Sequence, residues 1–190
     1  MDCLELLTAD HNRVRGLFKR CKDAEERDDV ESMRLLTTKI VEELQIHMTI
    51  EEEIFYPAIR GESEEISDTV YEGVEEHHVA KVLVEELAGM EPEGEEWKAK
   101  VKVLMESVEH HADEEEKDMF PPVRENTTAE QREKLGVRLE KRKVELGAPP
   151  MEMALDLSKA ELDELAKAQE IPGRSKMKKD ELAATVDPRG

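Results

Sequence analysis

With 190 residues, the chain has room for one ordinary domain and a small appendage. Apolar residues make up 38% and aromatics only 3%, too poor a mixture for a β-sandwich core, while 40% charged residues suit helices with a heavily charged surface. A net charge of −20 repels nucleic acid and anionic membrane over most of the surface.

Two cysteines, Cys3 and Cys21, do not make a disulfide framework and point to a reducing compartment. The opening Met-Asp-Cys-Leu-Glu carries no basic segment or apolar run, and no stretch approaches the roughly 20 apolar residues of a membrane span. The expectation is a cytoplasmic protein with no membrane partner.

Taken in order, residues 8–25 read as a helix with Thr8 as N-cap and His11, Val14, Leu17, Phe18 and Cys21 on one face. Asp28 and Asp29 open a second helix. Its inner positions are Val30, Met33, Leu36 or Thr37, Ile40, Leu44, His47, Glu51 and Ile54, and Pro57 ends or kinks it. A third helix near 63–89 turns Val70, Val74, His77, Ala80, Leu83, Val84 and Leu87 inward. A fourth starts near 95, carries Val101, Leu104, Val108, His111, Glu115 and Met119, and closes at Pro121-Pro122. Thr127-Thr-Ala-Glu130 is a capping box for a fifth helix reaching about Leu146.

These helices contain a repeat. His47-Met-Thr-Ile-Glu51 and His111-Ala-Asp-Glu-Glu115 each place a Glu four residues after a His, and Tyr56-Pro57 and Phe120-Pro121 follow at matching offsets. Residues four apart on a helix lie one above the other, so each copy aims an imidazole and a carboxylate in one direction. Asp10-His11 and Glu76-His77 also share a downstream apolar or small pattern, at +3, +6, +7 and +10. The duplicated hairpin implies an all-α, up-down-up-down four-helix bundle. Its register selects His77 over His78 and His111 over His110 as inward residues.

One inward His is more often a hydrogen-bonded core residue than a ligand, and one His-x-x-x-Glu means little in a chain this rich in Glu. The set is what counts. Four imidazoles and two carboxylates cannot be buried without partners, since an unpaired buried polar group costs about 1–3 kcal/mol and a charge more. Metal ions satisfy all six. The absence of thiolates argues against iron–sulfur and structural zinc sites, and six ligands exceed one tetrahedral zinc. They fit two metals, iron first and manganese or a mixed pair second, with room for an oxo or hydroxo bridge and a small exogenous ligand.

Asp10-His11, His47-x-x-x-Glu51 with Tyr56-Pro57, Glu76-His77, and His111-x-x-x-Glu115 with Phe120-Pro121 resemble the hemerythrin HHE cation-binding domain family over roughly residues 1–146. The resemblance implies a four-helix bundle with a non-haem di-iron centre that binds or senses O2 or related small molecules such as peroxide or NO, or senses iron itself. It implies His11, His47, His77 and His111 as terminal ligands and Glu51 and Glu115 as bridges. His77 is followed one turn on by Lys81, where oxygen-carrying hemerythrins have a further His. This departure argues against reversible O2 carriage and toward a redox, peroxide, NO or iron-sensing role. A peroxide-consuming oxidoreductase is the alternative at the same centre. It is less favoured because no acid–base group stands out beyond the ligands.

Gly147-Ala-Pro-Pro150 begins a linker, residues 147–155, and residues 156–190 differ in character. Ser158-Lys-Ala-Glu161 is another capping box, for a helix to about Gln169; Ile171-Pro-Gly-Arg is extended, and a last helix begins near Lys178. This helix-extended-loop-helix resembles the Rho termination factor N-terminal and SAP-like modules. The resemblance implies a nucleic-acid or protein partner, with Arg174, Lys176, Lys178 and Lys179 as the contact cluster. Residues 151–190 hold 7 basic and 9 acidic side chains, net −2, which leaves −18 on residues 1–150. A metal-free scaffold with a nucleic-acid-binding tail is a further alternative.

Overall fold

The structure is a computed structural model that describes residues 1–155 and 157–188, with the backbone alone at 152. Positions 156, 189 and 190 of the expected C-terminal module therefore lie outside the described residues. Every regular element among the described residues is helical: α1 (Cys3–Glu26), α2 (Val30–Ile50), α3 (Tyr56–Ile59), α4 (Glu64–Ala88), α5 (Gly94–Glu114), α6 (Phe120–Asn126), α7 (Ala129–Glu145), α8 (Met151–Leu155), α9 (Lys159–Ala168) and α10 (Lys179–Thr185). No helix among them is long and apolar enough to cross a membrane. The chain divides into two compact units, Met1–Ile54 with Ala129–Gly190, and Phe55–Thr128.

In the first unit, α1 starts five residues before the expected Thr8. Asp2 accepts from the Leu4 and Glu5 amides, and the Glu5 carboxylate returns to the Asp2 amide. Asp2-Cys-Leu-Glu5 is thus a capping box, and it lets Cys3, Leu4, Leu6 and Leu7 join the core. α1 packs along α2 and α7 and also receives α10. The helix α7 begins at Ala129, one residue later than the Thr127 capping box implied. The Thr127 hydroxyl instead donates to the Val123 carbonyl at the end of α6.

The C-terminal segment has its own small core of Ala154, Leu162, Ala166, Ile171, Leu182, Ala183 and Val186. The expected Ser158–Glu161 capping box is present. Between α9 and α10 the chain turns at Gly173, whose φ of +71° suits a residue without Cβ, into a short 3-10 turn, Arg174–Lys176. Residues 151–155, expected as linker, form α8, and the Met151 amide donates to Glu140 of α7. Buried Arg13 fastens this segment to α1. Its guanidinium donates to the Thr185 and Ala184 carbonyls at the end of α10 and to Glu43 of α2. A guanidinium suits orphan carbonyls at a helix C-terminus.

In the second unit, α4 packs on α5, α3 and α6. Phe55, Ile59, Ile66, Val70, Trp97, Val101, Leu104, Phe120 and Val123 form its apolar interior. Val74, expected inward, is 40% exposed, and Gly73 takes the buried place beside the Tyr56 ring. The smaller residue is what lets the phenol approach.

Neither proline pair ends its helix. Glu51–Phe55 and Glu115–Met119 are π-helical turns that lead directly into α3 and α6, with Pro57 and Pro121 in the first turns of those helices. Proline lacks an amide proton and crowds the carbonyl four residues back. A widened turn ahead of it removes that conflict, and such turns are frequent at functional sites.

A Cβ on Gly16 would lie 2.5 Å from the Gln169 carbonyl oxygen, which is backbone and cannot swing aside. Gly16→Ala should therefore lower unfolding free energy in urea by about 1–3 kcal/mol, although alanine favours a helix by up to about 1 kcal/mol. Burial first, and the Asp2 charge second, push the Cys3 thiol up to about 12. An unfolded thiol ionises near about 8.5, so between these values only the unfolded chain loses the proton. The Cys3 contribution to stability is full below about 8.5 and lost as pH rises toward about 12. Urea midpoints should fall across that window, and fall less in Cys3→Ala.

Candidate metal centre

In the first unit, His11 on α1 and His47 near the end of α2 bring their Nε2 atoms to 3.1 Å, with the rings edge to face. Glu51 stands one turn beyond His47, fully buried, its Oε2 3.3 Å from the His47 Nε2. Ligand atoms of the three residues all lie within 4.8 Å of one another.

The second unit repeats this. His77 on α4 and His111 on α5 meet Nε2 to Nε2 at 3.0 Å. Glu115, one turn on and 2% exposed, has its Oε2 3.9 Å from the His111 Nε2. Its other oxygen accepts from the Tyr56 hydroxyl at 2.9 Å. The Tyr56 ring also lies over His77, with centroids 5.6 Å apart.

Two ring nitrogens that meet at 3 Å share a proton or a cation between them, since two lone pairs would repel. That contact occurs twice, each time beside a buried carboxylate one turn on, and the donor set fits a metal ion. The π-helical turn begins at the carboxylate in both units, at Glu51 and at Glu115.

Carboxylates also stand behind the imidazoles. The His111 Nδ1 donates to Glu76 at 2.7 Å, and the His47 Nδ1 faces Asp10 at 3.7 Å, ion-pair range but too long for a hydrogen bond. An acceptor behind Nδ1 fixes the tautomer and leaves the Nε2 lone pair for a ligand role. Asp10 and Glu76 were not singled out as site residues from the sequence. The available signal was their identical placement, each immediately before an inward His. Each serves the histidine on the neighbouring helix, and one-dimensional spacing does not reveal that.

Asp10 is 3% exposed and holds the Lys143 ammonium of α7, itself 5% exposed, in an ion pair. Burial would raise the Asp10 carboxyl, but Lys143, then His47 and Arg13, outweigh it and hold the group far below the usual carboxylate range. Glu76 is half-buried; burial opposes its ionisation, and the His111 contact more than offsets this to keep it below its ordinary value. Glu114 is raised, first by desolvation and then by the Glu76 charge.

His78 and His110 are exposed. The Glu53 carboxylate pairs with Arg142 at 2.8 and 3.2 Å on the surface. In the C-terminal segment Lys176, Lys178 and Lys179 are exposed, and the Lys179 ammonium donates to the Leu155 carbonyl. Arg174 is half-buried and lies 3.8 Å from Asp163.

The model of the hemerythrin HHE cation binding domain matches residues 2–123. The chain belongs to this family. That HHE match spans both histidine pairs and both buried glutamates. Among relatives, a DNA nickase of Nostoc sp. (strain PCC 7120) is 28% identical over 138 residues, covering 70% of this chain and 36% of the relative. The chain thus spans about a third of that protein's length. An uncharacterized protein of Mycobacterium tuberculosis (strain H37Rv) is 29% identical over 170 residues, covering 85% of this chain and 98% of the relative. An uncharacterized protein of Mycobacterium bovis matches equally well. No solved structure gives a significant match.

If Lys143 neutralises Asp10 behind the HHE histidines, Lys143→Met should destabilise the protein by about 3–5 kcal/mol, because it leaves a buried charge without its partner. Adding Asp10→Leu should recover much of that loss. A double-mutant cycle from chemical unfolding checks both statements; strictly additive losses would show that the pair is not coupled.

Proposed function

We propose that this HHE protein holds a non-haem two-iron centre through His11, His47, Glu51, His77, His111 and Glu115, and binds or senses a small molecule such as O2, peroxide or NO, or the iron state itself. What carries the reading is the paired approach of imidazole Nε2 atoms at 3.1 and 3.0 Å, each with a buried carboxylate one turn on. The donors are imidazoles and carboxylates without thiolate, a set that would suit iron. Manganese or a mixed pair would be accommodated by the same donors.

When bound, two irons supply a redox couple and an open position for a small exogenous ligand. The chain's own residues do the rest. Glu76 holds the His111 tautomer, and Asp10 supplies negative charge behind His47. Tyr56 orients Glu115 through its hydroxyl. Phe55 and Phe120, buried edge to face with centroids 6.1 Å apart, belong to the apolar interior of the same unit as the second pair.

Binding or sensing is favoured over turnover, because the carboxylates behind the histidines, Asp10 and Glu76, are engaged with Lys143 and His111. Peroxide consumption at the same centre is the second reading. The C-terminal module would carry a nucleic-acid or protein contact through Arg174, Lys176, Lys178 and Lys179. The Nostoc relative is a DNA nickase, which supports the nucleic-acid version.

Purified protein should contain about two irons per chain and absorb in the near ultraviolet. His47→Ala and His111→Ala should each lower metal content while keeping helical circular dichroism. A chain that stays metal-free on anaerobic addition of Fe2+ would refute the reading. Peroxide turnover abolished by His111→Ala would move the assignment to the enzyme.

A further inference from the structure

The helices of the second unit carry a further group of metal-ligand side chains beside the HHE histidines. On the outer side of His111, Glu76 of α4 and His110 and Glu114 of α5 bring one ligand atom each within 4.8 Å of one another. The His110 Nε2 lies 3.2 Å from Glu114 and 4.0 Å from Glu76. The His110 side chain is 65% exposed and that of Glu114 37%, so a hydrated ion can reach both. Two carboxylates this close repel unless a proton or a cation lies with them. An imidazole beside them adds a donor suited to first-row transition metals rather than to calcium or magnesium.

The place of this cluster matters as much as its composition. A cavity of about 70 Å³ is lined by Glu76 and Glu114 and also by the buried His111 and Glu115. Glu72 and Asp118 add negative charge to the same walls, and among the described residues no Lys or Arg lines it. Glu76 belongs to both sets: one oxygen faces His110 and the other accepts from the His111 Nδ1.

We propose that Glu76, His110 and Glu114 form an outer site for a divalent transition-metal cation, from which the ion passes along the acidic cavity to His111 and Glu115. The outer site stands on its own residues; its role in loading rests on the reading of the interior histidines as metal ligands. Charge favours the route, because a cation leaving water there meets carboxylates at each step. Weak, solvent-exposed coordination suits a site that must release its ion.

The test uses the full chain, stripped of metal, with Mn2+ as the probe. Equilibrium binding counts tight and weak ions, and stopped-flow mixing follows the filling of the tight ones. The double variant His110→Ala/Glu114→Gln changes surface residues outside the proposed interior set. It should lose one weak ion per chain, keep the tight ions at equilibrium, and fill them severalfold more slowly. Glu75→Gln, which removes an exposed charge beside the cluster without touching it, should load like wild type. Equal ion counts in wild type and double variant would overturn the outer site. A wild-type filling rate in the double variant, or an equal slowing in Glu75→Gln, would overturn the loading route. If no tight ion binds to any variant, the interior reading fails, while a weak ion lost with His110 and Glu114 still establishes the outer site.

Discussion

The ion pair between Asp10 and Lys143 is the contact on which the first unit turns. Both side chains are buried, and neither charge is tolerable there without the other. The pair locks α7 to α1. It also places a fixed negative charge behind His47, whose Nε2 meets that of His11. One turn along α1, Arg13 adds a second positive charge near Asp10 and holds the last carbonyls of α10. The first histidine pair and the C-terminal segment are thus both anchored to one turn of one helix. Buried charge is a poor source of stability, but it is a strong source of register, because a helix that slips leaves the charge bare.

The two histidine pairs are alike in their inner geometry and unlike in their support. Behind His47 the acid is neutralised by a buried lysine. Behind His111 the acid is Glu76, half-buried and shared with an exposed histidine and a second carboxylate. The first pair is backed by a sealed electrostatic contact, and the second by an acidic cavity in its own unit. The same donor set therefore has two different relations to solvent, which a duplicated sequence alone would not suggest.

The π-helical turns follow the same economy. Each begins at the buried glutamate and ends just before an aromatic-proline pair. An extra residue in the turn rotates everything after it. The glutamate keeps its alignment with the histidine one turn earlier, while the aromatic residue turns into the core: Tyr56 and Phe120 are both buried. Tyr56 uses that rotation to reach Glu115, and it fits because residue 73 is glycine.

Much of this was legible in the chain by itself. Apolar spacing located the main helices. The repeated offsets among His11, His47, Glu51, His77, His111 and Glu115 marked six side chains, all of which are buried, and separated His77 from His78 and His111 from His110. These features are periodic and local, so one dimension records them. Contacts between distant segments are not recorded there. Lys143 meets Asp10 across 133 positions, and Arg13 meets Thr185 across 172. Proline reads locally as a stop or a kink because its penalty is real, yet a widened turn carries the helix through it. Val74 was read as core because it is apolar, yet the approach of the Tyr56 ring gives the buried place to Gly73. Local pattern determined which residues could serve a metal; only packing decided which acid stands behind which histidine, because that choice is made between helices.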